Sequence, residues 1–377
     1  MAKAPGPLSG VKIVEFAGIG PGPFCGMLLA DMGADIIRID RAGGGMAQVK
    51  RADGRGRKSV LVNLKDPAAT ELCLKLMEKA EITFEGFRPG VMERLGLGPD
   101  VVLKRNPKIV YGRMTGWGQT GPYAMGAGHD MNYVAISGAL AAIGTRDKPV
   151  PPLNLVGDYG GGAMFLAVGI LAALLHARVT GQGQVIDAAM SDGAAYLSAL
   201  FHEMRSKGEW SDKRQDNMLD GGAPYYDTYL CSDGKWISVA SMEPQFYALL
   251  IEKTGFPKSE AEPQWDKKHW PERKAKFEKI FASKTQAEWC ALMEATDVCF
   301  APVLSFDEAL EHPHNIAREV FKKVDGIVNV TPTPRFSATP GALPGPAPDP
   351  GAHNKSALKA WGFGDSEVEA LARDGTI

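Results

Sequence analysis

The sequence lacks the features by which several classes of protein are recognised. Its 377 residues include five cysteines without a CxxC pair, which argues against a disulfide framework and a zinc knuckle and favours a reducing compartment. Lysine and arginine number 42 against 44 acidic residues, so the net charge is −2 and no basic excess indicates nucleic-acid binding. The longest apolar run, residues 163–175, is shorter than the ~20 residues that span a bilayer, which predicts a buried core helix.

Targeting signals are also missing from both ends of the sequence. MAKAPGPLSG has no apolar stretch behind its single lysine, and the final Thr-Ile pair matches neither a lipidation nor a peroxisomal signal. We therefore expect a cytoplasmic protein with neither a membrane nor a nucleic acid as partner. No motif with metal-ligand spacing stands out, so no metal site is predicted.

Glycine, in contrast, is abundant, and strands and helices alternate through the first part of the chain. There are 44 glycines, about an eighth of the residues against a usual ~7%. VKIVEFA, DIIRID, EITFEGF and KIVYGRM are predicted strands with helices between them, an order typical of a parallel sheet covered by helices. A polar linker over 205–224, a hairpin around Ser-Asp-Gly, helices up to about 321 and a proline-rich connector then indicate a second, smaller domain.

The first strand and turn are similar to the start of a dinucleotide-binding fold, but the fingerprint fails. A third glycine is needed three residues after Gly20, and Pro23 stands there instead. Asp40 is followed directly by Arg41, whose guanidinium suits a phosphate better than a ribose hydroxyl. We therefore do not predict a nicotinamide cofactor, and the glycines either shape a turn or approach another ligand.

Eight motifs in order resemble the α-methylacyl-CoA racemases, a group within the CoA-transferase family III superfamily. The resemblance covers residues 8–306 and rests on the following segments: AGIGPGPFCGMLLADMGADIIRIDR, EGFRPGVMERLGLGP, RMTGWGQTGP, AGHDMNY, PLNLVGDYGGG, GQGQVIDAAM, NMLDGGAPYYDTY and MEPQFY. It implies a Rossmann-like, CoA-binding α/β domain over 1–205 and a small α+β domain over 225–320. A return segment over 321–377 would end in a helix that packs on the large domain. It also implies an interlocked homodimer and no cofactor, since coenzyme A is part of the substrate.

Inverting a carbon next to a thioester carbonyl needs an acid–base group on each face and a donor for the enolate oxygen. His129 and Asp158 each follow a glycine at a predicted helix start, and the Asp130 N–H could hold the enolate oxygen. The resemblance assigns the acid–base roles to the same two residues, and to Glu243 the role of orienting the histidine. Without the resemblance, the residues alone favour a helix-capping or core histidine for His129 and a plain N-cap for Asp158, and Glu243 would likewise cap a helix. Tyr133 is either a hydrogen-bond donor near Asp158 or a surface residue.

The remaining predictions concern contacts to the substrate. Arg41 is the predicted contact to the adenosine phosphates. Met114, Met190, Met204 and Met218 either offer an adaptable apolar surface to the acyl chain or pack in the core. Arg88 and Arg94 either add positive charge for coenzyme A or are solvated surface residues. The segment predicted to line the adenine comprises Leu61, Val62, Asn63, Leu64 and Lys65. Around His129, the predicted substrate contacts are Gly128, Asp130, Met131, Asn132 and Tyr133.

Three functions remain open at this stage. The first is a racemase of 2-methylacyl-CoA thioesters that works through an enolate. The second is a family III CoA-transferase, in which Asp158 would attack as a nucleophile and form an acyl anhydride. The third is an acyl-CoA-binding or scaffolding protein without catalysis. The presence of both AGHDMNY and MEPQFY favours the racemase, because the transferase chemistry does not require the pair of His129 and Glu243.

Overall fold

A computed structural model of the chain describes residues 6–41 and 51–377. Strands in these residues are numbered in chain order: β1 (Lys12–Phe16), β2 (Asp35–Arg41), β3 (Arg57–Val62), β4 (Ile82–Glu85), β5 (Val110–Thr115), β6 (Gln184–Ala189), β7 (Tyr226–Leu230), β8 (Trp236–Ala240), β9 (Phe300–Val303), β10 (Phe321–Val324) and β11 (Ile327–Val330). Helices are numbered likewise: α1 (Pro21–Asp31), α2 (Pro67–Glu78), α3 (Val91–Arg94), α4 (Pro99–Arg105), α5 (Asp130–Ile136), α6 (Ala139–Ala142), α7 (Met164–Thr180), α8 (Met190–Leu197), α9 (Ala199–Ser206), α10 (Pro244–Thr254), α11 (Lys258–Ala261), α12 (Trp270–Phe281), α13 (Gln286–Met293), α14 (Phe306–Glu311), α15 (Pro313–Ala317), α16 (Asn354–Ala360) and α17 (Asp365–Arg373).

The described residues divide into two compact units. The first takes its residues from Met1–Ser137, Pro152–Ser198 and Val320–Ile377, and the second from Gly138–Pro151 and Ala199–Glu319. The predicted large domain, 1–205, also includes residues 1–5 and 42–50, which lie outside the described residues. Residues 138–151 and 199–205, which the sequence analysis placed in that domain, belong to the second compact unit.

A parallel sheet forms the centre of the first unit, with the order β3-β2-β1-β4-β5-β6 in the described chain. Every neighbouring pair in it is parallel, so the α/β fold with a Rossmann-like sheet is confirmed. Strand β3, which the sequence analysis missed, lies at one edge. The order reverses between β1 and β4, and in such sheets the crevice at the carboxyl ends of these two strands is where ligands bind.

Alternate residues of each strand supply the two hydrophobic cores, one on each face of the sheet. Ile13 and Ile36 pack with α1 and α7, whereas their neighbours Val14 and Ile37 pack with α2 and the C-terminal helices. This is the expected result of side chains that alternate across a strand buried on both faces. Helix α2 begins at a side-chain cap, because the Asp66 carboxylate accepts the Ala68 N–H at 2.9 Å.

The apolar run of residues 163–175 lies within one long helical stretch, Leu155–Thr180, of 26 residues. By length and composition it could cross a membrane, but a core helix passes the same test, and a single such stretch is weak evidence. One face, with Leu166, Ile170 and Leu174, is packed in the core. The prediction of a buried helix is therefore right for one face only, because side chains on the opposite face are exposed.

The second unit contains an antiparallel sheet with the order β7-β8-β9. The predicted hairpin is confirmed as β7 and β8, and β9 adds a strand from far along the chain. An aromatic core that includes Tyr229, Phe277 and Trp289 joins this sheet to its helices. Helix α13 begins with a capping box, in which the Thr285 N–H donates to Glu288 Oε2 at 2.8 Å.

The C-terminal segment belongs to the first unit, where α16 packs against β3. The Ser59 N–H donates to His353 Nδ1 at 3.2 Å, and the Leu61 N–H donates to Asn354 Oδ1 at 2.8 Å. These bonds occupy backbone groups on the edge of β3. The C-terminal return therefore covers a strand edge that would otherwise be open.

Candidate active site

The first unit contains a cavity of about 780 Å³ at the carboxyl ends of β1, β4 and β5. This is the position that the strand order predicts for a ligand. Its lining comes from the turn after β1, the loop after β4, the segment around α5 and the π-helical segment Leu155–Ala163 that leads into α7. The side chains that can transfer protons or carry charge there include Arg51, Glu85, Arg88, His129, Tyr133, Asp158 and Tyr159.

His129 lies at the N-terminus of α5, as its N-cap residue. Its N–H donates to Asn132 Oδ1 at 3.0 Å, which holds the backbone at the helix start. The residue before His129 must be glycine, because a Cβ on Gly128 would lie 2.8 Å from the Tyr133 ring and 2.9 Å from the Trp117 ring. The exposed His129 imidazole is thereby presented at the cavity wall with its backbone fixed.

Asp158 lies in the first turn of the π-helical segment, a distortion that is frequent at functional sites. Its N–H donates to Asp130 Oδ2 at 2.6 Å, and its Oδ2 accepts a hydrogen bond from Asn154 Nδ2 at 3.4 Å. Gly20, at the end of the turn after β1, approaches the same carboxylate. A Cβ on Gly20 would lie 2.9 Å from Asp158 Oδ2. Three segments therefore fix the position of this carboxylate.

Burial raises the pKa of Asp158 above its ordinary 3.8. The negative charge of Asp130 raises this pKa further, whereas the Asn154 hydrogen bond and a positive charge on His129 lower it. Burial likewise raises the pKa of Tyr133, and the charge of Asp158 adds to that rise. His129 thus lowers the pKa of Asp158 and Asp158 raises that of Tyr133, which agrees with their positions in the wall of the same cavity.

The residues predicted to bind the nucleotide lie at the ends of neighbouring strands. Arg41 is the last residue of β2 and pairs in register with Val62, the last residue of β3. Asn63, Leu64 and Lys65 follow at the same edge of the sheet. The prediction that the side chain of Val62 lines the adenine is corrected by the structure. This side chain is fully buried in the hydrophobic core.

The comparisons with known proteins agree with this fold. The profile of CoA-transferase family III matches residues 8–354. The chain belongs to this family. It is 44% identical over 372 residues to the α-methylacyl-CoA racemase of Mus musculus, covering 97% of this chain and 96% of that protein. Identity to the α-methylacyl-CoA racemase of Homo sapiens is 43% over 374 residues, with 98% and 97% covered.

A solved structure supports the same conclusion. The crystal structure of Rv3272 from M. tuberculosis has a TM-score of 0.79 to this chain at 28% identity, covering 95% of this chain and 100% of that one. At this coverage the likeness includes residues of both compact units.

The structure brings part of the predicted site together. Eight of the predicted residues line the cavity: Arg88, Met114, Gly128, His129, Asn132, Tyr133, Asp158 and Met190. Met204 and Met218 belong to the second unit instead. Asp130 lies buried beneath it, and its carboxylate supports Asp158. Arg94 and Met131 are exposed residues outside the lining as described. Glu243 is the N-cap residue of α10 in the second unit, so its predicted role toward His129 stays a prediction.

Tyr133 does not make the hydrogen bond near Asp158 that was one of its two predicted roles. Its hydroxyl donates to the Gly128 carbonyl oxygen rather than to Asp158. Its ring also packs against Gly116, where a Cβ would lie 2.2 Å from the Tyr133 ring, and edge-on against Trp117. Tyr133 therefore holds the loop before His129 against the end of β5.

Several site residues were missed by the sequence analysis. Asn154 had a signal, since it lies four residues before Asp158 in the same motif, a helical spacing. Gly20 stood in the glycine turn, but nothing there pointed to the aspartate 138 positions later. Glu85 and Arg51, which also line the cavity, carried no signal of their own.

Proposed function

We propose that this chain interconverts the 2R and 2S forms of 2-methylacyl-CoA thioesters by moving the α-proton between two bases. The observation that carries this proposal is the presence of His129 and Asp158 in the wall of one cavity, held by separate segments of the chain. The identity of 44% and 43% to proteins named α-methylacyl-CoA racemase supports it.

In the proposed reaction one base removes the α-proton, and the electron pair of the broken C–H bond moves into the enolate. The acid on the opposite face then returns a proton to the α-carbon, and the thioester carbonyl re-forms. Asp130 is the first residue of α5, where backbone N–H groups have no partner within the helix. Its N–H, with the partial positive charge of the helix start, is suited to the enolate oxygen.

Glu243 keeps the role that the resemblance gives it, as a positioning residue for the His129 ring. Arg41 and the segment 61–65 would hold the nucleotide end of the substrate, and Arg88 would meet its phosphates or pantetheine nearer the cavity. The methionines Met114 and Met190 in the lining offer an adaptable apolar surface to the acyl group. Coenzyme A enters as part of the substrate, so the proposal includes no separate cofactor.

We also propose that the protein is a homodimer. In the isolated chain, the outer face of α7 exposes Val168 (63%), Leu175 (69%) and Val179 (87%), and Tyr196 on α8 is exposed as well. Apolar side chains aligned on one helix face are typical of an association surface. Sedimentation is expected to give twice the mass of the chain, and an active monomer would contradict this part of the proposal.

The reaction itself is tested by incubating one epimer of a 2-methylacyl-CoA in deuterated water. Epimerisation with deuterium at the α-carbon is the expected result. Acyl exchange with a free acid and no epimerisation would instead indicate the CoA-transferase chemistry of Asp158. Neither reaction, with binding retained, would indicate an acyl-CoA-binding protein.

Variants of the two bases sharpen this test. His129→Ala is expected to abolish epimerisation in both directions, with a loss at or beyond the ~10²–10⁴ typical of acid–base groups. It is expected to retain slow deuterium exchange only for the epimer whose proton faces Asp158, and Asp158→Ala to show the opposite preference. Glu243→Gln is expected to lower the epimerisation rate in the same way as His129→Ala, but by a smaller factor. A His129→Ala enzyme that epimerises at the wild-type rate would contradict the two-base assignment.

A further inference from the structure

The cavity wall contains a buried carboxyl group that the proposed two-base reaction does not use. Glu85 is the last residue of β4, with 1% of its surface exposed, and lines the cavity together with the loop that follows it. That loop, residues 86–89, contains Arg88, a cationic side chain of the same lining. A carboxylate buried at such a position lowers stability unless its partners compensate.

The partners of Glu85 tie the two ends of this loop together. Glu85 Oε2 accepts the Phe87 N–H at 2.6 Å, which fixes the first turn of the loop. Glu85 Oε1 accepts Arg113 Nε at 3.3 Å, and Arg113 is its register partner on β5. The guanidinium of Arg113 also donates to both carboxylate oxygens of Glu93, at 2.8 Å and 3.2 Å. Because Glu93 lies on α3, just after the loop, Arg113 bridges a carboxylate at each end of it.

These contacts distinguish Glu85 from a residue that only fills the core. Burial raises the pKa of Glu85 to about 7, against the opposing effects of the Phe87 N–H and of Arg113. The negative charge of Glu93 also raises it, and the neighbouring Tyr111 is a further titratable group, whose own pKa is raised in part by Glu85. A perturbed carboxyl in a cavity wall, with a backbone N–H of the adjacent loop as its ligand, is a candidate for a functional role.

We propose that Glu85 is a positioning residue, whose carboxylate fixes the 86–89 loop and thereby holds the Arg88 guanidinium where the acyl-CoA substrate binds. This inference rests on the proposed function for the identity of the substrate. Glu85 acts through Phe87 and Arg113 and does not touch the reacting carbon. Its loss is therefore expected to weaken binding of the substrate rather than to slow the chemical step.

A pH dependence of binding follows from the same geometry. Above about pH 7 Glu85 is ionised, and the carboxylate accepts both the Phe87 N–H and the Arg113 guanidinium. Below that pH the carboxyl group is protonated and loses its charge, so that the ion pair with Arg113 is lost and the bond from Phe87 is weakened. The KM for the acyl-CoA is therefore expected to rise as the pH falls through this range, with kcat changing less.

The experiment compares three variants of the full chain. Glu85→Gln keeps the shape and an oxygen acceptor for the Phe87 N–H but has no charge. It is expected to raise KM severalfold at about pH 8 and to flatten the dependence of KM on pH between about pH 6 and pH 8. Glu85→Leu removes the acceptor as well, and its KM is expected to rise about tenfold or more at either pH. Glu93→Gln is the matched control, because it removes a carboxylate from the same arginine without touching the Phe87 N–H.

Calorimetric titration with free coenzyme A separates this proposal from the proposed function. If the wild-type chain racemises its substrate and Glu85→Gln matches it in KM, in coenzyme A affinity and in pH dependence, the positioning role is wrong and the function stands. If the wild type does not racemise but Glu85→Gln weakens coenzyme A binding, the function fails and the positioning role stands. A fall in kcat at unchanged KM would also overturn the proposal. Should Glu85→Leu not fold, Glu85→Gln alone decides the outcome.

Discussion

Substitution of Gly20 by alanine tests how closely the turn after β1 defines the position of the Asp158 carboxylate. Gly20 has φ 70° and ψ −116°, a backbone conformation that side chains with a Cβ rarely adopt, and it immediately precedes α1. The added Cβ would lie 2.9 Å from Asp158 Oδ2 and 3.4 Å from its Cγ. Atoms do not approach a Cβ so closely, so the carboxylate has to move away from the position it now occupies.

Two effects of different size are expected from Gly20→Ala. This sparsely populated backbone conformation costs a residue with a Cβ about 1–3 kcal/mol, which lowers the free energy of unfolding by that amount. Displacement of a catalytic group by a fraction of an ångström to an ångström lowers its contribution by a factor on the order of 10–100. The epimerisation rate is therefore expected to fall far more than the loss of stability alone explains.

Gly10→Ala is the matched control for this prediction. Gly10 also has a positive φ, 92°, but an added Cβ there would meet nothing within 4 Å. Both variants are expected to lose similar stability in denaturant titrations, whereas only Gly20→Ala loses α-deuterium exchange. Exchange at the wild-type rate in Gly20→Ala would refute the close approach of Gly20 to Asp158. Equal losses of exchange in both variants would attribute the effect to stability.

Two further predictions concern the site and the nucleotide end. Asn154→Ala removes a hydrogen bond that lowers the pKa of Asp158, so this pKa is expected to rise further. In the direction of reaction where Asp158 is the base, the acid limb of the plot of kcat/KM against pH is therefore expected to move to higher pH. An unchanged acid limb would exclude the hydrogen bond from the active enzyme. Arg41→Ala is expected to raise KM for acyl-CoA more than tenfold, worth ~1.5–3 kcal/mol for a charge-assisted contact, while circular dichroism stays unchanged. An unaltered KM would remove Arg41 from the nucleotide site.

Elements with a local signal were predictable from the sequence, and β3 shows why others were not. The strands around Val14, Ile37 and Val110 are apolar runs bounded by turns, and all were found. Strand β3 begins with Arg57 and Lys58, which reads as a solvated loop. In the fold, Arg57 pairs with buried Glu15 at 2.8 Å and Lys58 pairs with Asp35 at 2.6 Å. These partners come from distant parts of the chain, so only the assembled sheet makes the basic residues compatible with a strand.

The candidate site divides in the same way between motif residues and their supports. His129 and Asp158 were predicted because their motifs resemble those of a known family. The supporting carboxylates were not, since Asp130 meets the Asp158 N–H across 28 positions and Glu85 meets Arg113 across the same number. Contacts of this range depend on which strands are neighbours and on their register, and neither follows from a local pattern.

The environments of the two proposed bases bear on how a reversible proton transfer can run in both directions. Aspartate and histidine ordinarily differ by more than two pKa units, about 3.9 against about 6.5, so an unperturbed aspartate is a poor proton donor near neutral pH. Burial of Asp158 and the adjacent charge of Asp130 raise its pKa, which makes the protonated form of Asp158 easier to populate. Asn154 limits the rise by stabilising the carboxylate. A base that is too strong would keep the proton it has accepted, and a base that is too weak would not remove the α-proton. Opposing effects on the pKa of one carboxylate therefore suit Asp158 to proton transfer in both directions.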